Sequence, residues 1–147
     1  MKIRYALLVL ITVIIAACSK KNDIAPSDPA TQVAGTYEMS TLRYDSAGVS
    51  IYNLALPITG AAAVSGAITV RRDSATVVYT TYTIKQTGFS DFNDTFGQLK
   101  LKGTTSPYDI YYGANKIGST DGKTFTIDYS YTDQGITYRE VYAGQKK

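Results

Sequence analysis

The side chains able to do chemistry in this chain are few, and what is missing narrows the field first. Histidine is absent, and Cys18 is the single cysteine among the 147 residues. Ser-His-Asp and Cys-His catalysis, and zinc or haem sites built on imidazole or thiolate, need residue types that are not there. Nor can two cysteines pair within the chain. Carboxylate chemistry, a lysine or tyrosine general base, and binding without catalysis remain. Asp109 and Asp128, both on strand-like segments, are the acids a carboxylate-based hydrolase would use. A glycosidase pair needs a separation of roughly 5 or 7 to 9 Å in space, which sequence spacing does not fix. Asp91, Asn93 and Asp94 gather oxygens, but Phe96 and Lys102 stand where a calcium loop needs its glycine and terminal glutamate. A turn with Asx hydrogen bonds is the simpler expectation. The expectation is therefore a protein that is not an enzyme and carries neither metal nor cofactor.

Tyrosine is the residue present in excess, at 13 positions. Tyr79, Tyr82, Tyr112, Tyr129 and Tyr131, together with Tyr108, Tyr111 and Tyr138, supply rings with a polar tip, suited to lipids, aromatic compounds or sugars. A second reading stays open beside this one. Tyrosine is also a preferred strand residue, and small barrels often fill themselves with their own side chains.

The N-terminus carries Lys2 and Arg4, then thirteen residues from Tyr5 to Ala17 in which only Thr12 is polar, then Cys18. That is the layout of a signal peptide, with charged, apolar and small-residue regions in order. At about 1.5 Å per residue such a helix falls short of a hydrocarbon core of roughly 30 Å. Ile15-Ala16-Ala17-Cys18 resembles the bacterial lipobox. The resemblance implies cleavage before Cys18, a diacylglycerol on its sulfur and a further acyl chain, such as palmitate, on the new amine. Two or three acyl chains, at about 0.8 kcal/mol per buried CH₂, anchor a protein stably. An ordinary signal peptide with an incidental cysteine, or a weak anchor helix, is the alternative.

Without Lys2 and Arg4, thirteen basic residues face twelve acidic ones, so the formal charge of +3 falls to about +1 in residues 19–147. A nucleic-acid footprint needs a concentrated basic surface, and Arg71-Arg72 would point to opposite faces of a strand. No nucleic-acid partner is expected. Residues 18–33, with two prolines and few apolar side chains, read as the lipidated cysteine and a flexible tether. Ser19 after the cysteine fits the enteric lipoprotein rule for outer-membrane sorting, and the polar run behind it resembles Bacteroidetes lipoprotein tethers. The expected location is the cell envelope, at the outer membrane, on its periplasmic face or the cell surface.

Residues 34–147 read as one all-β domain. Thr36–Tyr44 is the first strand, turned by Asp45 to Gly48. Val49–Leu56 follows, and Gly60–Gly66 is a small-residue loop or helical turn. Ala67–Arg72 and Ala75–Lys85 are joined at Asp73-Ser74, and Gly88–Gly97 is a loop with two buried phenylalanines. Gln98–Lys102, Tyr108–Tyr112 and a short piece at Lys116-Ile117 come next. Phe125, Ile127, Tyr129 and Tyr131 alternate with polar residues and return through Asp133 to Gly135 into Ile136–Tyr142. One-sided alternation indicates an antiparallel sheet, and about eight strands at hairpin spacing fit a meander closed into a barrel, with a β-sandwich as the alternative.

Val33 to Tyr37 opening the first strand, Asp121 to Phe125 opening a late hairpin and Arg139 in the last strand resemble the lipocalin-like domains of bacterial lipoproteins. That family begins Gly-x-Trp, here Gly35-Thr36-Tyr37. The resemblance implies Arg139 lying across the Tyr37 ring at the barrel bottom, and a cavity for a small apolar or amphipathic ligand at the open end. Asp45-Ser46-Ala47 and Asp73-Ser74-Ala75 resemble the O-glycosylation sequence of exported Bacteroidetes proteins, which makes Ser46 and Ser74 candidate glycan sites. The resulting expectation is a monomeric, membrane-anchored, ligand-binding module. Its rival is a structural or accessory lipoprotein that holds an envelope protein or polysaccharide on its outer face.

Overall fold

A computed structural model describes residues 27–147; Cys18, the leader and most of the tether lie outside the described residues. Among the described residues no helix is long and apolar enough to cross a membrane. The elements are α1 (Pro29–Val33), β1 (Gly35–Ser46), β2 (Val49–Ala55), β3 (Val64–Ser74), β4 (Val77–Gln86), β5 (Phe92–Lys102), β6 (Tyr108–Tyr112), β7 (Asn115–Thr120), β8 (Thr124–Asp133) and β9 (Ile136–Lys146). The sheet runs β2-β1-β3-β4-β5-β6-β7-β8-β9, and β1 also pairs with β9. Eight strands thus close into an antiparallel barrel, with β2 as an extra strand. Closure is what separates this from a sandwich.

β1 holds the barrel shut. Its first residues, Gly35 to Glu38, pair with β3, and Thr41 to Ser46 pair with β2, while β9 runs along its other side. Along β4, Val78, Thr80 and Tyr82 are buried and alternate with more exposed neighbours, the signature of one face turned inward. Ile68, Val78, Leu99, Ile110, Phe125 and Ile127 are fully buried, and Tyr37 stands against Phe125 at 5.4 Å between ring centroids. These side chains fill one half of the barrel.

That half is floored by α1, a correction to the tether expected over 18–33. Asp28 accepts from the Thr31 N–H at 2.8 Å, Pro29 opens the helix, and Ala30 and Val33 are fully buried. The Tyr37 hydroxyl donates to the Val33 carbonyl at 2.6 Å, and the Tyr108 hydroxyl to Gln32 Oε1 at 2.9 Å. Arg72 pairs with Asp28 at 3.0 Å, and that guanidinium with the Thr31 N–H holds the carboxyl down at about 2. Proline and aspartate read as linker residues in composition, yet here they start a helix. Five residues are too few to display a period.

The strand boundaries also move. β5 begins inside the Gly88–Gly97 stretch expected as a loop, and of its three phenylalanines Phe89 and Phe92 are exposed while Phe96 packs against the core. Gly97, at φ 73°, lies at the register shift where β4 passes from Gly97 to Thr95. A glycine there makes a bulge that a continuous alternation pattern hides. The β3–β4 turn is Ala75-Thr76 rather than Asp73-Ser74, and Val64 to Gly66 belong to β3 instead of the preceding loop.

Candidate functional site: the tyrosine-lined mouth of the barrel

Opposite the α1 floor, β1, β2, β4, β5, β8 and β9 leave a cavity of about 460 Å³ open at the barrel mouth. Two register shifts aim side chains into it. The shift between Met39 and Thr41 turns β1 over, so that Leu42 and Tyr44 continue the inward face that Tyr37 and Met39 began. The Gly97 bulge does the same for β5, setting Asp94 opposite Tyr82 and Phe92 opposite Ile84.

The register then brings tyrosines from neighbouring strands together. Tyr44 faces Tyr52, and Tyr131 faces Tyr138. Tyr52, Tyr44, Tyr138, Tyr131 and Tyr129 stack in one row, with successive centroids 5.7, 6.0, 5.2 and 5.6 Å apart. Deeper in, Tyr82, Phe96 and Tyr142 form a trio at 4.9 to 5.0 Å. Offset and edge-on aromatic contacts of this kind add about 0.5–1.5 kcal/mol each beyond area burial.

Glu140 stands between the two sets. Tyr142 donates to its Oε2 at 2.7 Å and Tyr131 to its Oε1 at 3.2 Å. The Tyr142 and Tyr82 hydroxyl oxygens are 3.4 Å apart, and Tyr82 reaches Asp94 at 3.4 Å. Burial, and after it the Glu140 carboxylate, push the Tyr129 and Tyr131 phenols up to about 12. Burial raises Tyr142 as well, helped by its hydrogen bonds with Tyr82 and Glu140. At neutral pH these phenols keep their protons, and Tyr131 and Tyr142 donate theirs to Glu140. A narrower recess of about 190 Å³ adjoins the mouth, lined by Leu99, Tyr112 and Ile117 and sharing Phe96 and Tyr129 with it.

Of the tyrosines singled out from sequence, Tyr82 and Tyr129 line the mouth, Tyr131 joins the row, and Tyr112 lines the recess. Tyr79 does not belong: it lies one position out of phase with Val78 and Thr80, and the Arg71 guanidinium covers its ring at 5.4 Å. Tyr44, Tyr52, Phe96, Tyr142, Glu140 and Asp94 were not expected there. Tyr142 and Glu140 share the inward phase of Ile127 and Tyr129 through the β8–β9 register, which alternation carried across the hairpin would have revealed.

The Arg139–Tyr37 contact is also corrected. Tyr37 pairs with Lys146 at the floor, whereas Arg139 pairs with Asp45 at the mouth end, seven residues up the strand. At about 3.3 Å per residue that is roughly 23 Å away. Arg139 instead pairs with Asp128 at 2.6 Å, and the cation near the Tyr37 ring is Lys146, 5.8 Å from the centroid. Gly35, at φ 146°, lets Lys146 pass, since a Cβ there would meet its Cε at 2.6 Å.

Asp109 and Asp128 do not meet: each is bound to its own cation, Lys116 at 2.7 Å and Arg139, on separate hairpins. Asp91 pairs with Lys85 and Asn93 with Thr83, while Asp94 turns to Tyr82, so that trio disperses. Ser74 is exposed at the end of β3; Ser46 is half-buried at the end of β1, beside an Asp45 tied to Arg43 at 2.9 Å. Comparison with protein-family models, with curated proteins and with solved structures finds no match to this chain.

Proposed function

We propose that the domain is a non-catalytic binding module for a small amphipathic ligand, held at the cell envelope by lipid on Cys18. The observation that carries the binding reading is the division of the barrel into a filled floor and an open mouth of about 460 Å³ walled by aromatic rings. A concave, mostly apolar site with a few convergent polar groups is the usual form of a small-molecule pocket, in the range of about 300–1,000 Å³. Tyrosine hydroxyls supply orientation and ring faces supply contact area. The rival use of Glu140 and Asp94 as a hydrolytic pair is disfavoured, because the phenols of Tyr142 and Tyr82 bridge the space between them.

Ile84 lines the mouth without belonging to either tyrosine set. Ile84→Trp, which narrows the cavity, is expected to weaken binding of the neutral dye Nile red by about tenfold or more, while Tyr111→Ala on the outer wall leaves it unchanged. Equal dye affinity in Ile84→Trp and the parent protein would place the ligand elsewhere.

The anchor rests on the leader alone. Lys2, Arg4, the apolar run and Ile15 to Cys18 together support it. Cys18→Ser is expected to shift the protein from the membrane fraction to the supernatant of lysed cells. Retention in the membrane with unchanged mass would instead favour an uncleaved anchor helix.

An outer-face role has one observation in its favour. Among the described residues β2 pairs only with β1 and, on its far side, leaves an open edge, where Val49 and Ile51 are 63% and 59% exposed. Such an edge is a template for a partner strand.

A further inference from the structure

We infer that the mouth selects a cation: a ligand with a protonated amine or quaternary ammonium head on an apolar or aromatic body. The inference rests on the reading of the mouth as a ligand site and names the chemistry that site would take. Two carboxylates, Glu140 and Asp94, line the cavity, and no lysine or arginine does. Among the described residues neither carboxylate has a basic side chain within ion-pair distance. The nearby arginines are spent on the outer wall, Arg43 on Asp45 and Arg139 on Asp128. Alternation explains the arrangement: Glu140 faces inward, so Arg139 and Val141 must face out.

Hydrogen bonds from Tyr131 and Tyr142 satisfy part of Glu140 and fix its direction, without neutralising it. Tyr44, Tyr52 and Tyr129 of the stacked row line the cavity with it, and a cation there is attracted by the quadrupole of their rings. Low-dielectric walls strengthen both attractions relative to open water. The same field opposes an anionic head. A fatty-acid carboxylate would enter a pocket that already holds two negative groups and no basic partner. The neutral phenols cannot reverse that sign.

The test compares three ligands of one shape by calorimetry: phenethyltrimethylammonium, its uncharged tert-butyl isostere and the corresponding phenethyl sulfonate. The cation is expected to bind about tenfold or more tightly than the isostere, with the sulfonate weakest, and its advantage should shrink with added salt. Glu140→Gln should cut the cation's advantage to about threefold or less, and Asp94→Asn should reduce it by a smaller factor. Equal binding of cation and isostere, or a preference for the sulfonate, overturns the inference while Nile red binding leaves the pocket reading standing. Binding of none of these ligands, dye included, overturns both.

Discussion

Gly118→Ala is expected to cost the barrel more than about 3 kcal/mol, at the upper end of what overpacking does. Gly118 lies on β7 and pairs with Ile127 of β8. A Cβ on it would stand 1.9 Å from the Thr126 carbonyl oxygen and 2.9 Å from the Thr126 carbonyl carbon. Both obstacles are backbone. No side chain can swing away, so β7 and β8 must part, and β7 is one of the short strands on which closure depends. Gly113→Ala is the internal control: its φ is 59° but nothing lies within 4 Å, so only backbone strain of about 1 kcal/mol is expected. Guanidinium unfolding of both variants measures the difference. A Gly118→Ala protein as stable as Gly113→Ala would mean that β7 and β8 do not approach as described.

Val33→Asp is the second large effect. Val33 is fully buried at the end of α1, and the Tyr37 hydroxyl already occupies its carbonyl. An unpaired carboxylate placed there is expected to cost about 4 kcal/mol at neutral pH. The pH dependence gives a second handle. Burial would raise the new carboxyl above its unfolded value of about 3.9, so the folded state binds the extra proton first. Stability relative to the parent then recovers as pH falls toward about 4 and is lowest at neutral pH, where the unfolded chain is ionised and the buried group must be. A flexible tether at this position would show neither the loss nor the recovery.

The contrast between these two sites and the mouth shows what the sequence made legible. Strand-period alternation from Phe125 to Tyr131 placed the last hairpin correctly, because nothing interrupts the pairing of β8 with β9 from Thr124 to Asp133. Closure into a barrel followed from strand number and from the need to hide edges. Tyr44 was missed because it follows the irregularity after Met39 on β1, which reverses which face looks inward, whereas Phe96 is the extra residue of the bulge before Gly97, in a stretch expected as a loop. A period-2 pattern read across a bulge assigns every later side chain to the wrong face. Arg139 failed differently. Its distance from Tyr37 is set by the direction in which β9 passes β1, which is a property of topology and not of residue type.

Glu140 was overlooked because a single acid directly after Arg139 in a strand reads as an ordinary solvent-facing residue. Its meaning comes only from Tyr131 and Tyr142 converging on it from either side. Asp94, by contrast, was noticed for the wrong chemistry. Adjacency to Asn93 suggested shared oxygens, whereas successive strand residues point to opposite faces, Asn93 outward to Thr83 and Asp94 to Tyr82.

Native mass spectrometry tests the central claim most directly, on the protein purified from its own cells beside residues 22–147 produced in a neutral host. The account predicts a reproducible small-molecule adduct on the native form, weakened when Ile84→Trp narrows the mouth and not explained by glycan mass at Ser46 or Ser74. An identical ligand-free mass from both sources, at protein concentrations where Nile red still binds, would contradict it and turn attention to the open edge of β2.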